Sequence, residues 1–164
     1  MPLNEFNTMP AEAAHRTLKP CLDVTRWVQA VADTRPYSTV QQAAEAARTV
    51  AHPLTDAEIE AALEHHPRIG EKADDGSVEA DLSQREQQSL GEADQSVEAR
   101  LASGNRAYEQ KFGRVFLIRA AGRSHEEILS ELERRLAQDP EPELAEVGDQ
   151  LEQIAALRLE GLLR

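Results

Sequence analysis

Aromatic side chains are scarce in this sequence, at 4% of 164 residues, so a core must be built mainly from Leu, Ala, Val and Ile. Cysteine is nearly absent. Cys21 stands alone, which excludes an internal disulfide and fits a reducing compartment. No apolar run approaches the ~18 to 20 residues of a membrane span, so no transmembrane helix is expected. The opening Met1-Pro2-Leu3-Asn4-Glu5 lacks a basic region followed by an apolar stretch, and Leu162-Leu163-Arg164 is not a peroxisomal address. The expected location is therefore cytoplasmic. Positive charge is also short: 18 Lys and Arg against 30 Asp and Glu give a net charge of −12. Such a surface repels phosphate backbones and anionic lipid, so neither nucleic acid nor a membrane is an expected partner. An anionic substrate would need a local Arg or Lys shielded from that field.

What the chain does contain is helix-forming residues, dominated by Ala, Leu, Glu, Gln and Arg. The length favours one domain with a real core, residues 1–164. Thr8 can cap a helix entering through Pro10 and running to about Leu18. Asp23 can cap a second, carrying Val24, Trp27, Val28 and Val31 and ended by Arg35-Pro36. Ser38 precedes a third that ends before Pro53. Thr55 or Asp56 starts a fourth, which must stop near His66 because Pro67 follows. Residues 70–82 lack periodicity and read as a polar loop. Ser83 and Glu86 form an S-x-x-E capping box opening a fifth helix, and a sixth runs from about Ala93 to Phe112, with Gly113 able to end it. Residues 114–120 are the one β-like run, too isolated for a sheet, and read as an extended connector. Ser124 to Glu127 is a second capping box, opening a helix to about Gln138, and Pro140 and Pro142 precede the last helix. The expected fold is an all-α, single-domain bundle of about seven to nine helices with one short extended connector.

Three places look unusual for such a bundle. On the last helix, Leu144, Val147, Leu151 and Ile154 step by 3, 4 and 3, and the next steps of 4 reach Arg158 and Leu162. Arg158 thus sits near the centre of an apolar stripe. Its guanidinium cannot shed its charge, so burial would demand an acid or an anionic ligand. Alternatively its stem lies along the core and its head reaches water. Ser83, Glu86, Gln87 and Leu90 share one helical face, which either caps the helix or offers a ligand a helix N-terminus. In His65-His66-Pro67-Arg68-Ile69-Gly70, Pro67 forces His66 into an extended conformation at a helix exit. That can hold an imidazole rigidly, or merely leave a solvated histidine.

Other chemistries find little support. His65 and His66 are adjacent rather than three or four apart, and with His52, Glu64 and Glu71 they make no zinc-type spacing, so no metal is expected. There is no Gly-rich phosphate loop and no G-x-S-x-G elbow. Cys21 reads as core rather than nucleophile.

Taken in order, His66-Pro67-Arg68-Ile69-Gly70-Glu71, Ser83-x-x-Glu86-Gln87, Asn105-x-x-Tyr108-x-x-x-Phe112-Gly113 and Arg158-Leu159 resemble the 2-oxo-4-hydroxy-4-carboxy-5-ureidoimidazoline (OHCU) decarboxylase family. The resemblance extends to Trp27 and Arg35-Pro36. It departs at Arg114, where an aromatic residue is frequent, and at Gln88-Ser89-Leu90-Gly91, which replaces a small, apolar run. The resemblance implies an all-α homodimer that forms (S)-allantoin from OHCU without a cofactor, in urate breakdown. It also implies that His66 and Glu86 are the catalytic pair and that Arg158 anchors the substrate. Pro67, Ser83 and Gln87 match substrate-contacting positions, as do backbone groups around Ile118.

Two competing expectations remain. An acidic helical interaction module would show a face of exposed apolar residues instead of a pocket near Arg158. A hydrolase acting on a neighbouring ureide would need an activated water, and no metal cluster is expected to supply it.

Overall fold

The computed structural model describes residues 1–66, 82, 85–87 and 95–164. Among these residues the regular elements are helices, and no strand occurs. They are α1 (Leu3–Thr8), α2 (Ala11–Leu18), α3 (Thr25–Asp33), α4 (Val40–Thr49), α5 (Asp56–Leu63), α6 (Gln95–Phe112), α7 (His125–Leu136) and α8 (Pro140–Leu162). Residues 82 and 85–87 are also helical. The all-α expectation holds. The polar loop at 70–82, the Ser83 cap and the Gln88–Gly91 departure lie wholly or largely outside the described residues.

Caps fix several helix starts. The Thr39 hydroxyl accepts the Gln42 N–H at 3.0 Å, and the Ser124 hydroxyl accepts the Glu127 N–H at 3.1 Å. At α5, Thr55 Oγ1 accepts the Glu58 N–H at 3.2 Å while Glu58 Oε1 accepts the Thr55 N–H at 2.8 Å, a reciprocal capping box. Two expected caps move. Thr8 closes α1 instead of opening α2, its hydroxyl donating to the Asn4 carbonyl at 2.9 Å. Val24 rather than Asp23 is the N-cap of α3, and α4 follows Ser38 as expected, with Thr39 as its N-cap.

The chain divides into two compact units. The first comprises Met1–Ala62 and Gly148–Arg164. Its core includes Phe6, Leu18, Trp27, Val31, Leu151 and Leu159, all essentially sealed from water. Trp27 Nε1 donates to the Ala47 carbonyl at 2.8 Å, tying α3 to α4 and satisfying its one polar atom. Arg35 Nη1 donates to the carbonyls of Phe6 and Met9 at 2.7 and 2.9 Å, so α1 is tied down through its last turn. A Cβ on Gly148 would meet Ile59 Cδ1 at 3.0 Å, which shows how closely α8 and α5 approach.

The second unit is Leu63–Val147. Here α6 and α7 pack through Leu101, Tyr108, Phe112, Ile128, Leu129 and Leu132. Gly113, at φ 73°, ends α6 in the left-handed region that glycine adopts without a Cβ clash. The connector after it is neither helix nor strand, with Phe116, Leu117 and Ile118 buried in succession. Three apolar side chains in succession are buried, so alternation is absent and the run does not pair as a strand.

Candidate active site

Arg158 lies on α8 in the first unit, between Ala155, Ala156 and Leu159, and keeps only 5% of its exposure. The periodicity placed it on the apolar stripe, and the structure agrees. The snorkelling alternative does not hold, because the head stays inside: Nη1 donates to the Pro20 carbonyl at 3.2 Å. Pro20 lies in the turn between α2 and α3, 138 residues away. That partner is a backbone group, so no residue type in the sequence signals it. The carbonyl orients one edge of a planar group that carries five N–H donors.

His66 belongs to the second unit and follows α5. The helix stops at Leu63, and the His66 N–H donates to the Leu63 carbonyl at 3.1 Å, closing a turn. The imidazole-bearing residue is half-buried, whereas His65 beside it is exposed. The two histidines therefore differ in environment, and the half-buried one is the residue singled out by the sequence. Pro67 and Ser83 lie outside the described residues. Glu86 and Gln87 are half-buried positions on a helical turn in the second unit. Ile118 is 3% exposed in the connector, where the carbonyl of its neighbour Leu117 accepts from Arg135 Nη1 at 2.7 Å.

The Asn105-x-x-Tyr108-x-x-x-Phe112-Gly113 run is explained by architecture. Asn105, Tyr108 and Phe112 are buried on one face of α6, and Tyr108 sits against Phe112 and Phe116 with ring centroids 4.6 and 5.2 Å away. The Tyr108 hydroxyl donates to Glu143 Oε1 at 2.6 Å. Burial first, and then the hydrogen bond to Glu143, push the phenol far above its usual range, so it serves as a neutral donor.

The first unit thus holds a buried arginine, and the second a half-buried histidine at a helix exit and a half-buried Glu-Gln pair; comparison with known proteins makes the class of this all-helical chain specific. A crystal structure of OHCU decarboxylase in the presence of (S)-allantoin is similar with a TM-score of 0.70 and 26% identity, over 94% of this chain and 99% of that one. A crystal structure of (S)-allantoin synthase shares the fold, with a TM-score of 0.69 and 17% identity, over 97% of this chain and 53% of that one.

The chain belongs to the OHCU decarboxylase family, whose model matches residues 7–160. Among curated relatives, the uric acid degradation bifunctional protein of Bacillus sp. (strain TB-90) is 26% identical over 167 residues, covering 100% of this chain and 32% of the relative. The uric acid degradation bifunctional protein TTL of Arabidopsis thaliana is 35% identical over 102 residues, covering 60% of this chain and 31% of the relative. The chain spans about a third of the length of these relatives.

Proposed function

We propose that this protein decarboxylates OHCU to (S)-allantoin in urate breakdown, using no cofactor, as a homodimer in the cytoplasm. The observation that carries the reaction is the family match over residues 7–160, joined to a buried Arg158 on a protein of net charge −12.

Decarboxylation breaks the bond to the carboxylate carbon, releases carbon dioxide and leaves an electron pair on the substrate. Many enzymes receive that pair on a cofactor. OHCU has conjugated imine and carbonyl groups of its own to accept it. The protein then needs to orient the substrate and return a proton to one face. In this reading Arg158 holds the anionic or carbonyl-rich part of the substrate through charge-assisted bonds. His66 hydrogen-bonds the hydroxyl beside the departing carboxylate and serves as acid–base partner, while Glu86 orients that group or relays its proton. Ser83 and Gln87 fix the ureido and ring-amide edges, and Pro67 and the backbone around Ile118 complete the contacts.

Exposure of apolar side chains argues against a plain interaction module. Among the described residues the exposed large hydrophobic side chains are Met1 and Leu157, which make no apolar face.

Circular dichroism during urate consumption by urate oxidase and hydroxyisourate hydrolase tests the proposal. Adding the protein is expected to give rapid growth of an (S)-allantoin signal. His66→Ala is expected to lower that rate by ~10² to 10⁴-fold, the usual cost of losing an acid–base group. Slow racemic allantoin matching the protein-free control would overturn the assignment and return the interaction-module reading.

A further inference from the structure

His52 lies just beyond α4, its N–H donating to the Thr49 carbonyl at 3.2 Å. Its Nδ1 is 2.7 Å from Glu152 Oε1 on α8, a partner 100 residues away. Asp149, one turn earlier on α8, presents its carboxylate to the same place: the donor atoms of His52, Asp149 and Glu152 all lie within 4.8 Å of one another. All three residues belong to the first unit.

Two features set this group apart from an ordinary surface ion pair. The Glu152 side chain keeps only 3% of its exposure, and its second oxygen, Oε2, is buried with no hydrogen-bond partner among the described residues. A buried carboxylate oxygen without a partner is costly, and proteins retain such a group where something else occupies it. The His52 imidazole, by contrast, is 54% exposed and free to adjust. Asp149 is exposed as well, so the group opens to solvent on one side and ends on a buried carboxylate on the other.

We propose that His52, Asp149 and Glu152 form a site for a divalent first-row metal ion of the zinc type. One imidazole and two carboxylates are a donor set that such ions accept, with ligand distances of ~2.0 to 2.2 Å and a fourth position left for water. Tetrahedral geometry at those distances separates neighbouring ligand atoms by about 3.4 Å. The three donor atoms lie within 4.8 Å of one another, so the wider separations must close by up to about 1.4 Å. The His52–Glu152 contact, at hydrogen-bond length, must open while the wider separations close, and the exposed His52 and Asp149 side chains are the ones that can move. The ion replaces the proton shared by Nδ1 and Oε1 and clips the segment after α4 onto α8; where Glu152 binds through both oxygens, Oε2 takes the fourth position in place of water. Two negative charges against one ion make the site close to neutral. Arg26, whose Nη2 is held by Glu58 and the carbonyls of Ala51 and Pro53, is the nearby cation that the ion must tolerate. The site uses none of His66, Glu86 or Arg158, so it stands or falls independently of the catalytic reading.

The test uses untagged full-length protein stripped by chelator, titrated with Zn2+ by calorimetry and with Co2+ by visible absorption, alongside thermal melts. One equivalent bound per chain is expected, with a rise in Tm that grows with metal concentration. Asp149→Asn removes an exposed ligand without disturbing the core, and His52→Ala removes the imidazole. Each is expected to weaken binding by more than the ~10 to 100-fold that loss of an outer-shell partner costs. His65→Ala is expected to leave binding and the Tm rise unchanged. Absence of a stoichiometric site in the wild-type protein overturns the proposal. So does binding that survives both Asp149→Asn and His52→Ala, or that disappears with His65→Ala.

Discussion

Arg135 on α7 and Glu143 on α8 form an ion pair sealed from water, with Nε 2.8 Å from Oε1 and side-chain exposures of 1% and 0%. The pair is fully engaged. Glu143 also accepts from the Tyr108 hydroxyl at 2.6 Å and from Gln138 Nε2 at 2.8 Å. Arg135 donates to the Leu117 carbonyl at 2.7 Å and lies 4.6 Å over the Phe116 ring. Replacing Glu143 leaves Arg135 buried with only Glu146 Oε2, 3.4 Å from its Nε, as a charged partner, and breaking a buried pair typically costs up to about 3 to 5 kcal/mol. Glu143→Gln is therefore expected to destabilise the protein by that amount in urea unfolding. A double variant, Arg135→Leu with Glu143→Leu, should be less damaging than the sum of its single changes. Additive losses would mean that the two groups act independently.

This pair shows where sequence reading stops. The helices among the described residues, Gly113 as a terminator and the place of Arg158 on an apolar stripe follow from local signals: periodicity, caps and turn residues. Arg135 and Glu143 carry no such signal, because a charged residue on a helix is by default a solvated one. Their burial depends on α7, α8 and the connector meeting, which no window of residues encodes. The same holds for the Pro20 carbonyl beside Arg158, and for His52 against Asp149 and Glu152. The acids near His52, His65 and His66 in the chain are Glu64 and Glu71, whereas those that reach His52, Asp149 and Glu152, come from the last helix.

Gly104 on α6 faces Leu132 on α7 so closely that an added Cβ would stand 2.6 Å from Leu132 Cδ2. Leu132 is wholly buried and has little room to yield. Alanine should gain about 1 kcal/mol of helix propensity, but overpacking of this kind costs about 1 to 3 kcal/mol. Gly104→Ala is expected to be neutral to mildly destabilising despite the better helix former. Adding Leu132→Ala should then cost less in the Gly104→Ala background than in the wild-type protein. Equal costs in the two backgrounds would show that the close approach carries no strain.

The Arg26–Glu58 pair gives a pH dependence with a definite sign. The hydrogen bond from Arg26 holds the Glu58 carboxyl below its ordinary range, with the Thr55 amide adding to the effect. A lowered folded-state value means that the unfolded chain binds the proton more readily. The stabilisation is thus complete above the unfolded value of ~4.3 and fades as pH falls through the lower folded value. Arg26 is half-exposed, so solvent screening limits the contribution to about 1 kcal/mol or less. Glu58→Gln should cost that amount at pH 7, and the gap should close as the pH is taken well below 4. A gap that persists in acid would assign the loss to the α5 cap rather than to the charge.

Arg158 offers the sharpest separation of binding from turnover. Its guanidinium is proposed to meet the anionic or carbonyl-rich end of the substrate, and its Nη1 is oriented by the Pro20 carbonyl. Charge-assisted hydrogen bonds are worth about 1.5 to 3 kcal/mol, or roughly 10 to 100-fold in kcat/KM. Arg158→Ala is expected to lose at least that factor, with a raised KM accounting for at least as much as the fall in kcat. Arg158→Lys restores a point charge but not the planar fork, so it should recover part of the loss at best. A thermal melt distinguishes this from damage to the fold, since removing the donor also strips the Pro20 carbonyl of a partner. If Arg158→Ala melts like the wild-type protein and keeps its KM, the arginine is not the substrate anchor. Its burial on the apolar face of α8 would then be structural.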